Sequence, residues 1–230
     1  MKALTSSLQY FVVQKARLSN KEAVQAIVAG KVLVNGQKGQ LQQVLQPLDE
    51  VLLDGQVLKE PQTFIYLAYY KPRGVESTLN SAIENNLAQA LNLHMRVFPV
   101  GRLDKESEGL MLLTNDGALY NRISHAQNHQ EKEYVVTVDK PLTPEALAQL
   151  ATGVVIMGQQ TRPAQVQALG EKTFSIVLTQ GLNRQIRRMC YKLGYAVERL
   201  VRVRMVRLRV GELKPGEWRE LPLTEVQELL

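Results

Sequence analysis

The sequence predicts an α+β fold in two parts: a small N-terminal module, then a larger domain on a mostly antiparallel, mixed sheet. Three observations predict it. Segments of strand and helix character follow one another without the regular strand–helix–strand alternation of a parallel sheet. The run Leu110-Met111-Leu112-Leu113, bounded by Gly109 and the turn residues Asn115-Asp116-Gly117, is apolar without interruption, as a strand buried on both faces requires. The 230 residues are enough for a small domain plus a medium one, and Lys59 to Gln62, with Pro61, reads as a linker between them. The predicted division is 1–60, with the linker reaching about 62, then 63–230.

In the first part, Ser19-x-x-Glu22 is a capping box that opens a helix over Lys21 to Ala29, with Ala23, Ile27 and Val28 on its apolar side. Gly30 ends that helix and Lys31 to Val34 is a short strand. Asn35-Gly36 is a tight hairpin turn, and Asp54-Gly55 joins a second strand pair, Glu50 to Leu53 and Gln56 to Leu58.

In the second part, Phe64 to Tyr70 alternates as a strand, and Pro72 stops it because proline lacks the ladder donor. Ser81 to Leu93 has the composition of a helix. Val97 to Val100 leads into Gly101-Arg102-Leu103-Asp104, which places Asp104 on a loop that runs straight into the buried strand. Loops on rigid scaffolds are where catalytic groups concentrate, although an isolated loop acid more often only solvates the surface. Ala118 to Ser124 reads as a helix and Glu133 to Val138 as a strand. Thr143 caps a helix with Pro144 in its first position and Gly153 at its close. Phe174 to Leu178 is a strand that delivers the chain to Gly181 and a helix over Asn183 to Leu193. There Ile186, Met189, Cys190 and Leu193 have core spacing, and Arg184, Arg187, Arg188 and Lys192 lie mostly on the other side. Cys190 reads as a core residue, Trp218 as a packing residue, and Thr224 as the cap of a last helix with Gln227 in the capping-box position.

The net charge is +6, but its distribution is more informative. Between Leu182 and Arg209 eight arginines and Lys192 face one acid, Glu198, a local excess of +8 that leaves −2 for the rest. A basic block in an otherwise near-neutral chain suggests a surface for a polyanion, and arginine suits phosphate because its planar fork bonds it in a bidentate manner. No apolar run approaches the roughly 20 residues that cross a bilayer. The start, Met1 to Val13, has neither a long apolar region nor a cleavage site of signal-peptide type. The single cysteine fits a reducing compartment, so a soluble cytoplasmic protein is expected. His94, His125 and His129 show no metal-site pattern: the spacing of the last two suits one helix face, but no acid accompanies them. No glycine-rich phosphate loop follows a strand. Neither a metal nor a cofactor is expected.

Gly101-Arg102-Leu103-Asp104, followed by Ser107, then Gly109-Leu110 and the turn Thr114-Asn115-Asp116-Gly117, resembles the active-site motif of pseudouridine synthases. Lys71-Pro72-Arg73-Gly74 resembles an upstream motif of the same enzymes, Lys132-Glu133-Tyr134 a third, and Gly181 to Met189 the closing one. The group resembled is the RsuA/RluB/RluE/RluF family of ribosomal RNA pseudouridine synthases. The resemblance implies that Asp104 is the essential aspartate and that Arg187 is its cationic partner. It also implies that Tyr134 stacks on the target uracil and takes part in proton removal. Ile186 would wall the base pocket, and Arg102 would fill the vacancy that the flipped base leaves. Arg184 and Arg188, with the block Arg199 to Arg209, would meet phosphate. Lys71 is grouped with the substrate side, while Lys71 and Gly74 together are expected to brace the active-site loop.

The first part resembles the S-four-like RNA-binding domain, through Arg17-Leu18-Ser19-x-x-Glu22-Ala23 and Gly30-Lys31-Val32-x-Val34-Asn35-Gly36. Ser7-Leu8-Gln9-Tyr10-Phe11 lacks the two basic groups that usually open that pattern. Lys15, Arg17, Lys21 and Lys31 are left to meet RNA, and weak binding by this part alone is expected. Tyr70 stands where the family usually has asparagine. Leu182, where relatives tend to carry a basic residue, points to the RluF-like subgroup and to 23S ribosomal RNA as substrate. Transfer RNA and 16S RNA stay open, as does a non-catalytic RNA-binding assembly factor. A glycosidase pairing Asp104 with Glu106 or Glu108 is the other alternative, disfavoured because no aromatic flanks that loop. A monomer is expected.

Overall fold

The computed structural model describes residues 7–91, 96–124 and 129–229. His94, His125 and the end of the helix expected over Ser81 to Leu93 lie outside the described residues. The chain divides into two compact units, Met1–Phe64 and Ile65–Leu230.

The first unit contains α1 (Leu8–Ala16), α2 (Asn20–Val28), β1 (Val32–Val34), β2 (Gln37–Lys38), β3 (Val51–Leu53) and β4 (Gln56–Lys59). Its four strands lie in the order β2-β1-β3-β4. Helix α1 is absent from the sequence reading. Its β-branched and aromatic residues are indifferent helix formers, and burial of Leu8, Phe11 and Val12 is what holds them. The capping box at Ser19 is complete: Ser19 N–H donates to Glu22 Oε2 at 2.8 Å, and Glu22 N–H donates back to Ser19 Oγ at 3.3 Å. Asn35 and Gly36, with φ of 52° and 76°, make the left-handed turn that closes β1 onto β2.

The second unit begins with β5 (Tyr66–Lys71), α3 (Leu87–Leu91), β6 (Phe98–Val100), β7 (Glu108–Thr114) and α4 (Gly117–Ser124). It continues through β8 (Lys132–Val138), α5 (Pro144–Thr152), β9 (Val155–Ile156), β10 (Gln159–Gln160), β11 (Gln165–Ala168) and β12 (Thr173–Leu178). It closes with α6 (Gln185–Lys192), β13 (Val197–Met205), β14 (Leu208–Arg209), β15 (Trp218–Glu220) and α7 (Leu223–Gln227). The main sheet runs β11-β12-β8-β13-β7-β5-β15, with β14 against β13 and β6 against β7. Strands β7 and β13 pair in parallel, over Val201↔Glu108 and Arg202↔Gly109, and the other pairs of this sheet are antiparallel.

Every residue of β7 is buried. Leu110 and Leu112 pack with Leu119 and Ile123 of α4 and Val226 of α7, while Met111 and Leu113 face Leu87 and Leu91 of α3. An uninterrupted apolar run is the result of a strand with a core on each side. Strand β12 alternates instead: Phe174, Ile176 and Leu178 are buried against Met189 and Cys190 of α6, and the residues between them face outward. Helix α5 has Thr143 as its cap and Gly153, φ 101°, at its end.

Some expectations are corrected. The helix expected from Ser81 begins only at Leu87, because buried Asn86 caps it, accepting from Gln89 N–H at 3.0 Å while its amide donates to Ile83 O at 2.6 Å. Thr224 lies inside α7, whose cap position is Pro222 without a side-chain bond. Trp218, expected to pack, sits on edge strand β15 and is 39% exposed.

Strand β13 carries two register shifts, between Val197 and Arg199 and between Arg202 and Arg204. The second pairs Arg202 with Tyr134 but Arg204 with Glu133, so two arginines that simple alternation would put on one face lie on opposite faces.

Gly109 sits where β7 meets β13. A Cβ there would lie 2.4 Å from Arg202 O and 2.8 Å from Arg202 N, and its φ is +105°. Gly109→Ala is expected to lower unfolding stability by about 2–4 kcal/mol in denaturant titration. Gly117→Ala, with open space around the new methyl, should stay within about 0.5 kcal/mol of wild type.

Candidate active site

The loop between β6 and β7 is short, and its backbone is held at each step. Ser77 Oγ donates to Leu103 O at 2.6 Å and accepts from Leu103 N–H at 3.1 Å. Asp104 O accepts from Ser107 N–H at 2.9 Å. Lys105 O accepts from Gly74 N–H at 2.8 Å and from Lys71 Nζ at 3.5 Å. Glu106 O accepts from Arg187 Nη2 at 3.0 Å. Four consecutive carbonyls therefore have fixed partners, three of them from elsewhere in the chain. Asp104, between the pinned carbonyls of residues 103 and 105, is half-buried at the wall of a cavity of about 510 Å³.

The cavity brings together Arg102 and Asp104 from the loop, Tyr134 from β8, and Arg184 and Ile186 at the start of α6. Ile186 is buried on the same side as Met189 and Cys190, and Arg184 sits in the left-handed conformation, φ 51°, that turns the chain into the helix. The alternation of β8 aims Lys132 and Tyr134 to one face, beside the buried Leu178 of β12.

Other candidate residues lie off the cavity wall. Lys71 is fully buried, with its ammonium on Val75 O at 2.7 Å and Pro72 O at 2.9 Å, so it braces the backbone there and does not line the cavity. Arg187 makes no ion pair with Asp104; it spans from Glu106 O to Val197 O at 3.0 Å each. Burial pulls its guanidinium below the usual range, and the charges of Glu106 and Asp104 pull the other way. Arg188 does not itself line the cavity, but it donates to Oδ1 of Asn183, which does, at 3.1 Å. Cys190 is buried, and burial pushes its thiol up to about 12, which suits a core residue.

Several arginines of the basic block have acid partners within the chain. Arg199 pairs with Glu108 at 2.8 Å, and Arg204 with Glu133 at 2.8 Å and Glu131 at 3.0 Å. Arg202 is buried at 1% exposure. The partners are acids distant in sequence, which a local charge count does not see. Burial works to raise the Glu108 carboxyl, but the Arg199 guanidinium and the Tyr70 hydroxyl outweigh it and hold it low. Neither Glu106 nor Glu108 lines the cavity, so the paired-acid geometry of a glycosidase is absent there.

Sequence reasoning missed Ser77, which no local pattern marks, and two cations of the cavity, Lys132 and Arg202. Lys132 was visible only as a motif letter, and Arg202 was submerged in the basic block. In the first unit Lys15, Arg17, Lys21 and Lys31 are all exposed, and Lys31 makes a 3.6 Å ion pair with Asp54.

Residues 65–192 match the family model described as RNA pseudouridylate synthase. The chain is 40% identical, over 96% of its length and 77% of the relative's, to the dual-specificity RNA pseudouridine synthase RluF of Escherichia coli strain K12. It is 32% identical to the ribosomal large subunit pseudouridine synthase B of Bacillus subtilis strain 168, over 96% of this chain and 94% of that one. A crystal structure of a pseudouridylate synthase superposes with a TM-score of 0.70 at 27% identity, covering 97% of this chain and 99% of the other.

Ser77→Ala removes both bonds to Leu103 and is expected to cost about 1–3 kcal/mol, with faster amide exchange confined to the loop around Asp104. Lys71 gives a pH signature. Burial lowers it to about 8, against the pull of Glu76, Asp104 and Glu108. With its folded value below its unfolded one of about 10.5, the stability it contributes is complete above about 10.5 and is lost as pH falls through about 8. Lys71→Met should therefore flatten the rise of stability with pH across that window, read from denaturant midpoints.

Proposed function

The chain belongs to the RNA pseudouridylate synthase family, and from that premise we propose that it converts a specific uridine of 23S ribosomal RNA to pseudouridine with Asp104 as the group that acts on the ribose. The observation that carries this reading is the position of Asp104: a carboxylate fixed by a pinned loop at the wall of a cavity that also presents Tyr134 and Ile186. The large-subunit designation of the Bacillus relative supports the ribosomal substrate.

In this reaction the glycosidic bond between the base nitrogen and the anomeric carbon breaks, the uracil turns, and carbon five bonds to the anomeric carbon. The proton on carbon five leaves and the freed nitrogen gains one, so atoms and electrons balance without a co-reactant. The Asp104 carboxylate assists departure of the base. The Tyr134 ring stacks on the uracil, and the Ile186 side chain packs against it, which keeps water from the reacting atoms. Arg187 acts as a positioning residue, through Glu106 O, and not as a direct partner of the carboxylate. Arg102, exposed at the cavity mouth, fills the gap in the stack when the base is flipped, and Arg184 meets phosphate there. The first unit acts as the S-four-like RNA-binding part through Lys15, Arg17, Lys21 and Lys31. The protein works as a monomer in the cytoplasm.

Purified protein incubated with unmodified 23S ribosomal RNA, 16S ribosomal RNA and transfer RNA, followed by mapping of new pseudouridines, tests the reading. Product is expected at one site or a small cluster of 23S RNA, and none is expected with Asp104→Asn, which should retain RNA affinity within about threefold. Product in 16S or transfer RNA alone overturns the substrate. Tight RNA binding by both proteins without product from either overturns the activity in favour of an assembly factor.

A further inference from the structure

Two cations sit on the cavity face of the sheet without an acid. Arg202 is 1% exposed, and its Nε donates to Leu110 O at 2.7 Å. That bond fixes the guanidinium and leaves Nη2, which is buried and has no hydrogen-bond partner among the described residues. Arg202 is in register with Tyr134 across β13 and β8, and Lys132 lies two residues before Tyr134, so all three side chains share one face of the sheet. The Lys132 ammonium donates to Gln130 O at 3.2 Å. Neither cation takes part in an ion pair among the described residues, although the other arginines of β13 all find acids. A buried guanidinium with a free N–H is costly to keep unless something anionic or a carbonyl oxygen fills the position in the working state.

We propose that Arg202 and Lys132 stabilise the detached uracil as its anion while it turns within the cavity. The inference rests on the proposed uridine isomerisation. When the glycosidic bond breaks, both bonding electrons stay with the base nitrogen, and the charge spreads over that nitrogen and the two carbonyl oxygens. Tyr134 offers the base a stacking surface but no cation. Asp104 carries the wrong sign, and Arg187 is committed to Glu106 O and Val197 O. Arg202, buried, and Lys132, half-buried, are thus the positive charges available beside the stacked base. Fixed donors aimed at charge that develops only during reaction raise the rate without tightening binding of the intact substrate. When the new carbon–carbon bond forms, the electron pair used comes from the uracil anion, and its nitrogen is then protonated. The cations hold the charge between these events and are left unchanged.

The ionisation of Lys132 gives a second readout. Burial first, and then the Arg202 charge, lower its ammonium to about 8. The other charged or titratable groups on the cavity wall are Asp104 and Arg102 from the loop, Tyr120 from α4, Tyr134 on its own strand and Arg184 before α6. A role that needs the cation predicts that kcat/KM, which reports the free enzyme, falls as pH rises through about 8.

The test is single-turnover conversion of unmodified 23S ribosomal RNA by excess full-length protein, with RNA affinity measured in parallel. Lys132→Met is expected to lower the rate of the bound complex by about 10²–10³-fold while RNA affinity stays within about threefold. Lys132→Arg should keep most of the rate and remove the alkaline limb near pH 8. Arg202→Lys is the companion variant, and its thermal midpoint separates a folding defect from a chemical one. Should it fail to fold, the Lys132 pair carries the test alone. Weakened RNA affinity with an unchanged bound rate would make the pair a phosphate anchor and overturn the inference. So would wild-type rates in Lys132→Met, or an alkaline limb that persists in Lys132→Arg and therefore belongs to Lys71. No product from the wild type on any RNA would overturn the isomerisation itself, and this inference with it.

Discussion

The second unit is organised around one requirement: a carboxylate on a loop must be held still. A free loop of this length samples many backbone conformations, and ordering each residue costs roughly 1–2 kcal/mol. Here the carbonyls of residues 103 to 106 are each tied, to Ser77, Ser107, Gly74 with Lys71, and Arg187. The partners come from the end of β5 and the stretch after it, from the loop itself and from α6. The motifs around Lys71 and Arg187 thus act on one short piece of backbone. Their side chains meet carbonyls and not the carboxylate, which leaves Asp104 free at the cavity wall.

This arrangement depends in turn on β7, which anchors the far end of the loop. A strand with one solvated face could shift or fray, but β7 is buried on both sides by two separate clusters of apolar residues. Its parallel contact with β13 is short and passes through Gly109, where the backbones approach too closely for a side chain. Beyond that contact, Arg202 extends Nε to Leu110 O and satisfies a strand carbonyl on β7. The residue that lines the cavity also helps to join β13 to the strand that follows the Asp104 loop.

The arginines of β13 show what a charge count along the chain leaves out. By sequence they form a single basic block, and a phosphate surface is the natural reading. The register shift after Arg202 divides them between two faces. On one face Arg204 meets Glu131 and Glu133, and on the other Arg202 is enclosed within the cavity. The same letters thus have a structural use and an electrostatic use, separated by one extra residue in a strand.

Much of the fold was legible because its signals are local. The capping box at Ser19, the turn at Asn35-Gly36, the Thr143-Pro144 helix start and the apolar run of β7 each depend on residues within a few positions of one another. Where the sequence reading failed, the signal was weak or in competition: α1 is held by burial against poor propensity, and Asn86 stops α3 by bonding its own neighbours. The sequence by itself determined Asp104 as the residue of interest, the strand behind it and the family motifs that accompany it. Tertiary structure alone decided that Lys71 and Arg187 hold backbone carbonyls, that Ser77 belongs to the site, and that Arg202 and Arg204 part company. Those outcomes depend on contacts between residues as much as about 90 positions apart, such as Arg202 with Leu110 and Arg199 with Glu108. Spacing along the chain carries no record of such contacts, because strand order and register are settled only when whole faces are buried together.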